Sequence, residues 1–343
     1  MSLVPEESAP PQDVRERAPF ALTSTLPPGS FEQITRLSVL CLCGVTFAVF
    51  AQGLFGSFVW DDLFLIVQNR HVREGGVLEA FSSDFWHISS AIGAEVAYYR
   101  PLVTLSYVLE WRLYGDRPFG YHVTNLALHL VCVWLAFKWL YARLSTEHQV
   151  ERAWQALAGA MAGALLFAVH PSRVEVVSWI SGRTDSMMAA LVLLGLVLFQ
   201  RSQLRLRGLA AGVAFALALL CKEAMITVPV CLALDALLRE PPERRREALR
   251  QAGSALGVTL LALALRFAFA PAPAHNTRSI FAQPLERVAS TIGHYAESVL
   301  WPVHPSMLTA LQRYDATGRI AYSQSSIVLG TLCVLALLGL LWA

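Results

Sequence analysis

Residues 58–100 begin Phe58-Val59-Trp60-Asp61-Asp62 and close on Tyr98-Tyr99-Arg100. They hold Asp61, Asp62, Asp84, His87, Glu95 and Arg100, the longest polar-bearing interval in an otherwise apolar chain. An apolar run from about Ile34 to Phe55 precedes it, and Pro101 opens an amphipathic segment to Tyr114 behind it. A bilayer core takes roughly 20 apolar residues in helical form. An interval this polar next to such a run therefore reads as a loop outside the membrane.

Further apolar runs follow at about 121–140, 154–169, 185–199, 252–270 and 327–343, with a weaker amphipathic stretch at 288–303. The run 209–238 is interrupted by Lys222-Glu223. One straight helix of that length would be about 45 Å long, so two shorter spans with the Lys-Glu pair at their turn are expected. Only 15% of the residues are charged and 55% are hydrophobic, with mean hydropathy +0.48; soluble domains carry about 25% charge. Alternating ten-residue strands with aromatic girdles, the mark of a membrane barrel, are absent. The fold expected is an all-α polytopic integral membrane protein. Residues 1–33 read as a disordered cytoplasmic tail and 34–343 as the transmembrane domain, with 56–120 as its long first outer loop. The six cysteines lie in or beside apolar runs without a CxxC pair, so they read as small apolar residues rather than as disulfides or zinc ligands.

Basic residues are almost all arginine, with lysine only at 138 and 222. The arginine-rich segments 142–152, 201–207 and 239–250 fall on one side by simple alternation, which the positive-inside bias makes cytosolic. A net charge of +2 gives no reason to expect nucleic acid. The opposite, outer side then receives 56–120, 170–184, 221–224 and 271–287. It collects Asp61, Asp62, Arg100, His170, Arg173, Glu175, Arg183, Asp185, Lys222 and Glu223. His122, Asn125 and His129 form one stripe of the second span. Ionisable groups near membrane depth are costly and face a cavity or a partner.

Each group has a structural reading as well. The two aspartates can start an interfacial helix, the His-Asn-His stripe can hydrogen-bond between helices, and Arg183–Asp185 and Lys222–Glu223 can be local ion pairs. The functional reading gives a carboxylate at 61 or 62 the role of general base toward a hydroxyl. It gives Arg100, Arg173, Arg183 or Lys222 the role of neutralising a phosphate. No glycine-rich phosphate loop follows a strand, so a nucleotide donor is not expected.

Several blocks in order resemble a known family. They are Trp60-Asp61-Asp62 through Asn69-Arg-His-Val72, Asp84-Phe-Trp86, Tyr99-Arg100-Pro101-Leu102, and Gly120-Tyr-His122-Val-Thr-Asn125 with His129. Phe167-Ala-Val-His170-Pro-Ser-Arg173-Val-Glu175 through Gly182-Arg183 and Lys222-Glu223 with Thr227, Pro229 and Asp235 complete the set. Over about 58–240 the chain resembles the transmembrane O-mannosyltransferases that target cadherins, and their bacterial relatives. The resemblance implies the GT-C glycosyltransferase fold and a polyprenyl- or dolichyl-phosphate sugar as donor. It also implies an acidic residue of the first outer loop as base: Asp61, with Asp62 beside it. Arg100, Arg173, Arg183, Lys222 and Glu223 would then serve the lipid phosphate and sugar, with His122, Asn125, His170 and Glu175 shaping the pocket. It implies no cofactor and no metal, whereas a lipid-diphosphate donor would bring a divalent cation. The family's C-terminal tetratricopeptide repeats are not found here, and the chain ends inside an apolar run, as a fragment or reduced form would.

The function expected is transfer of a hexose, mannose by analogy, to a hydroxyl of an exported protein or glycan on the extracytoplasmic face. The bacterial inner membrane is favoured over the endoplasmic reticulum. The alternatives are a lipid-linked sugar flippase and a non-catalytic assembly subunit.

Overall fold

The computed structural model describes residues 29–86, 98–145, 150–201, 204–269, 284–300, 313–314, 320–321 and 323–342. Expectations for the tail before residue 29, and for most of 271–287, lie outside these. The chain is an all-α membrane protein. Four of the described helical segments, Ser30–Phe55, Pro118–Leu144, Ile180–Gln200 and Pro242–Ala268, are long and apolar enough to cross a bilayer.

Helix α1 (Ser30–Phe50) runs into a 3-10 turn, Ala51–Phe55. The described part of the polar interval after it, up to residue 86, is folded and not an open loop; His87 and Glu95 lie outside the described residues. A single π-turn, Leu63–Val67, leads to α2 (Arg70–Arg73), which Asn69 caps by accepting from the His71 and Val72 N–H groups, and to α3 (Val77–Ser82). Leu65, Ile66, Val72 and Phe85 from this lobe pack with Val103, Tyr107 and Val108 of α4 (Pro101–Tyr114) in one buried cluster. Tyr121 of α5 (Pro118–Leu144) joins them. Proline opens both α4 and α5, where its missing N–H costs nothing.

Then follow α6 (Val150–Val169), the short α7 (Arg173–Ser178), a 3-10 corner at Ile180–Gly182, and α8 (Arg183–Gln200). Small residues let α6 lie close on α5: Ala160 and Ala164 are fully buried against Val133 and Phe137. The interrupted run resolves into α9 (Arg207–Leu219), a 3-10 turn at Glu223–Thr227, and α10 (Val228–Arg239). At 13 and 12 residues these helices rise about 20 Å each, well short of a hydrocarbon core of roughly 30 Å.

The arginine-rich segment 239–250 is mostly helical. Helix α11 starts at Pro242 and continues to Phe269, again with proline in the first turn. It packs along α9 and α10. Helices α12 (Pro284–Leu300) and α13 (Gln324–Trp342) form a hairpin, joined by a two-residue ladder, Arg313–Tyr314 against Ile320–Ala321.

Candidate active site

The site is built where the lobe after α1 meets the corner between α7 and α8. That corner, Trp179–Gly182, is held from three sides. Asp62 accepts from the Ser181 backbone N–H at 2.9 Å and from the Ser181 hydroxyl, and its other oxygen accepts from the Val59 N–H at 3.0 Å. Asn125 of α5 donates to the carbonyls of Trp179 and Ile180 at 3.0 and 3.2 Å. The Tyr107 hydroxyl of α4 donates to the Ile180 carbonyl at 3.4 Å. Gly182 lets the corner close, because a Cβ there would come within 2.8 Å of the Glu175 carbonyl oxygen.

Asp62 is thus fully buried and saturated with donors. Burial raises its pKa, outweighing the Ser181 and Val59 hydrogen bonds that favour the charged form. Its neighbour Asp61 points elsewhere. Trp60 sits at a φ of 51°, a left-handed conformation uncommon for a bulky residue, and reverses the chain so that successive aspartates take different surroundings. Asp61 is half-buried and lines a cavity of about 180 Å³ with Arg100, Glu175, Asp185, Lys222 and Trp179. Burial raises the Asp61 pKa above its ordinary value. Glu175 stands at the cavity mouth with its pKa also raised, by burial first and then by Asp185.

The cations are positioned by carboxylates from other elements. The Lys222 ammonium donates to both oxygens of Asp185 at 2.6 and 2.8 Å, and its side chain keeps 30% of its surface exposed. Arg100 stacks over Phe85 and Tyr98, with its charge 3.5 Å from Glu223. Glu223 also binds Arg266 of α11, whose Nη1 donates to the Leu219 carbonyl at 3.1 Å. Burial alone would raise the Glu223 pKa, but the Arg266 hydrogen bond, its own backbone N–H and Arg100 together hold it low. Two buried donors beside the cavity, Arg100 Nε and Trp179 Nε1, have no hydrogen-bond partner. An unpaired buried donor costs about 1–3 kcal/mol, so these two favour a ligand rich in acceptor oxygens.

Five sequence candidates therefore gather here: Asp61, Arg100, Glu175, Lys222 and, through Arg100, Glu223. Arg183 does not join them. It is fully buried, ion-paired with Glu110 of α4, and donates to Asn125 Oδ1 at 2.8 Å and to the Tyr121 carbonyl at 2.9 Å, beside the rings of Tyr107 and Tyr121. Every face of its guanidinium is committed, so it braces α4, α5 and α8. The local pairs expected at 183–185 and 222–223 are replaced by Arg183–Glu110, Lys222–Asp185 and Arg266–Glu223.

His122 packs on Gly56, where a Cβ would approach its Nε2 to 2.9 Å. His129 Nε2 meets the Ala168 carbonyl at 2.9 Å, tying α5 to α6. His170 bonds Ser172 and reaches the Val299 carbonyl at 3.0 Å, while Arg173 donates to Ser172 and lies over Phe167. His129 and His170 tie helices together, and none of these four lines the cavity. Asp185, read from the sequence as one of the outer charges and a partner for Arg183, holds Lys222 instead; Trp179, Glu110 and Arg266 are not among the sequence candidates. Asp185 and Glu110 were visible as charges inside apolar runs; nothing local marks Trp179 or Arg266. Among the described residues no three His, Cys, Asp or Glu side chains are grouped to hold one metal ion.

No family model matches the chain, and no solved structure matches it. Curated proteins do. The chain is 35% identical over 167 residues to protein O-mannosyl-transferase TMTC1 of Mus musculus, covering 47% of this chain and 16% of that protein. It is 30% identical over 202 residues to protein O-mannosyl-transferase F38B6.6 of Caenorhabditis elegans, covering 58% and 28%. With protein O-mannosyl-transferase Tmtc2 of Drosophila melanogaster the identity is 30% over 254 residues, 70% and 26%. The shared segments thus span little more than a quarter of these relatives' length at most.

Proposed function

We propose, on the premise that this chain belongs to the TMTC-type protein O-mannosyl-transferase family, that it transfers a hexose from a lipid-phosphate sugar to a protein hydroxyl. The observation that carries the reading is a half-buried carboxylate, Asp61, sharing one cavity with Arg100 and Lys222. Asp61 would take the proton of the acceptor hydroxyl as its oxygen attacks the anomeric carbon. The bond to the carrier phosphate breaks on the other side, and the phosphate leaves with added negative charge. Arg100 and Lys222 would stabilise that charge, with the free N–H groups of Arg100 and Trp179 as further donors. Asp62 would fix the loop that aims Asp61 and would take no part in proton transfer.

The carrier would be a polyprenyl phosphate in a bacterial inner membrane, or dolichyl phosphate in an endoplasmic reticulum membrane, with the cavity on the extracytoplasmic face. The chemistry as drawn uses no cofactor; a diphosphate carrier would add a divalent cation. The full chain, reconstituted with a polyprenyl-phosphate hexose and a Ser/Thr peptide, tests this. Asp61→Asn should lower transfer by about 10²-fold or more while donor binding persists. Transfer at the unchanged rate in that variant overturns the role of Asp61. Donor translocation without any glycosylated product, in the unsubstituted protein, overturns the transferase reading in favour of a flippase.

A further inference from the structure

At the other end of the bundle lies a second and larger concavity, of about 1170 Å³. It is set between the C-terminal ends of α5, α8 and α10 and the N-terminal ends of α9 and α11. Along α8, Asp185 belongs to the catalytic cavity and Phe199 to this groove, about 21 Å away at 1.5 Å per residue. Helices α8 and α10 each lean on α9 or α11 but are not packed on each other, and the groove runs between them. Its walls are apolar, with Leu196 and Phe199 on one side and Leu232 and Ala236 on the other.

Its rim is charged with a definite sign. Six arginines face four carboxylates among the lining residues. Two of the carboxylates are already engaged: Asp235 by Arg143 at 2.5 Å and by Arg239, and Glu247 by Arg250 and Gln251. Arg205, Arg207 and Arg244 form no ion pair among the described residues. Arg207 lies over the Phe199 ring, so its charge is at the boundary between wall and rim. The groove exceeds the roughly 300–1,000 Å³ of small-molecule pockets. It combines a membrane-depth apolar cleft with a surplus of cations where headgroups would lie.

We propose that this groove holds an anionic glycerophospholipid, acyl chains between α8 and α10 and phosphate against Arg205, Arg207 and Arg244. Basic pockets between transmembrane helices on the cytosolic side recognise anionic headgroups in this way. The positive-inside bias assigns the arginine-rich end to that side. The site is separate from the cavity of Asp61 and does not depend on the transfer chemistry.

The test is native mass spectrometry of the full chain, exchanged from detergent into mixed micelles of phosphatidylglycerol or phosphatidylcholine. Phosphatidylglycerol should be retained about tenfold better than phosphatidylcholine. Arg205→Gln/Arg207→Gln/Arg244→Gln should abolish that preference, and the corresponding triple lysine variant should restore most of it. Leu232→Trp, which keeps every arginine but fills the cleft, should lower retention of both lipids. Should the triple glutamine variant fail to fold, the Leu232→Trp and lysine variants decide the question. Equal retention of the two lipids by the unsubstituted protein overturns the proposal. So does an undiminished preference in the glutamine variant or undiminished retention in Leu232→Trp. Inorganic phosphate or glycerol phosphate that protects the protein against heat as well as the whole lipid assigns the arginines to a soluble anion, and also overturns it.

Discussion

Asp61 and Asp62 are adjacent in sequence and opposite in circumstance. One lines a cavity with two cations; the other is enclosed and takes three hydrogen bonds from the chain. Because burial raises the Asp61 pKa above 3.8, its basic form is lost at a higher pH than for a free aspartate. The kcat/KM profile for transfer should therefore fall on its acid side with a midpoint above 3.8. Glu175 lies in the same cavity with a raised pKa, so Glu175→Gln separates the two: the acid limb should survive in that variant. An acid limb that disappears with Glu175 would move the base to that residue. The Trp-Asp-Asp motif points to the loop but not to which aspartate faces the cavity, since that depends on the backbone of Trp60 and on Ser181, 119 residues beyond Asp62. The ion pairs are legible only once the fold is known. Residues one or two apart on a helix do not face each other, so Arg183 and Asp185 diverge to partners on α4 and at Lys222.

At the scale of elements, the hydropathy pattern is a good guide because a bilayer span demands it. The apolar runs at 121–140, 154–169 and 185–199 lie within α5, α6 and α8, and Lys222-Glu223 does mark a turn between two short helices. What hydropathy cannot show is the packing of polar segments. The lobe after α1 is built from short turns with no period, and the start of α11 is helical despite its charge. Those segments are ordered by tertiary contacts. The same holds at the start of α8, where Arg183 is the largest fully buried side chain among the described residues. Breaking a buried ion pair costs about 3–5 kcal/mol. Arg183→Ala should therefore destabilise the protein by about that amount, leaving Glu110 unpaired. Arg183→Lys should cost about 1–3 kcal/mol, because one ammonium cannot reproduce a planar fork that reaches a carboxylate, an amide oxygen and a carbonyl, and leaves a buried acceptor unpaired. Thermal unfolding in micelles reads this; an unchanged Tm in Arg183→Lys would remove the brace role.

For the whole molecule, the arrangement has two chemically distinct ends. Acidic and basic groups mix around the Asp61 cavity, while arginine dominates the end where α8 and α10 finish. That polarity gives a topology that can be measured. A cysteine at Trp60, which is exposed, should react with an impermeant maleimide from outside the cell. A cysteine at Arg246 in α11 should react only after the membrane is opened. Labelling in the reverse sense would put the proposed transfer on the wrong side of the bilayer for an exported acceptor.

The brevity of α9 and α10 carries a consequence for the choice of host membrane. A pair of helices about 10 Å too short for an ordinary hydrocarbon core leaves Lys222 beneath the headgroup plane unless the surrounding lipids dip to meet it. Such a dimple would bring water and the phosphate of the proposed carrier down together, at a cost of fractions of a kcal/mol per Å that grows with acyl length. If the proposed transfer holds, turnover in vesicles of di-C14 lipid should accordingly exceed turnover in di-C20 lipid, and the activity would be tuned by the thickness of the protein's solvent as much as by its substrates.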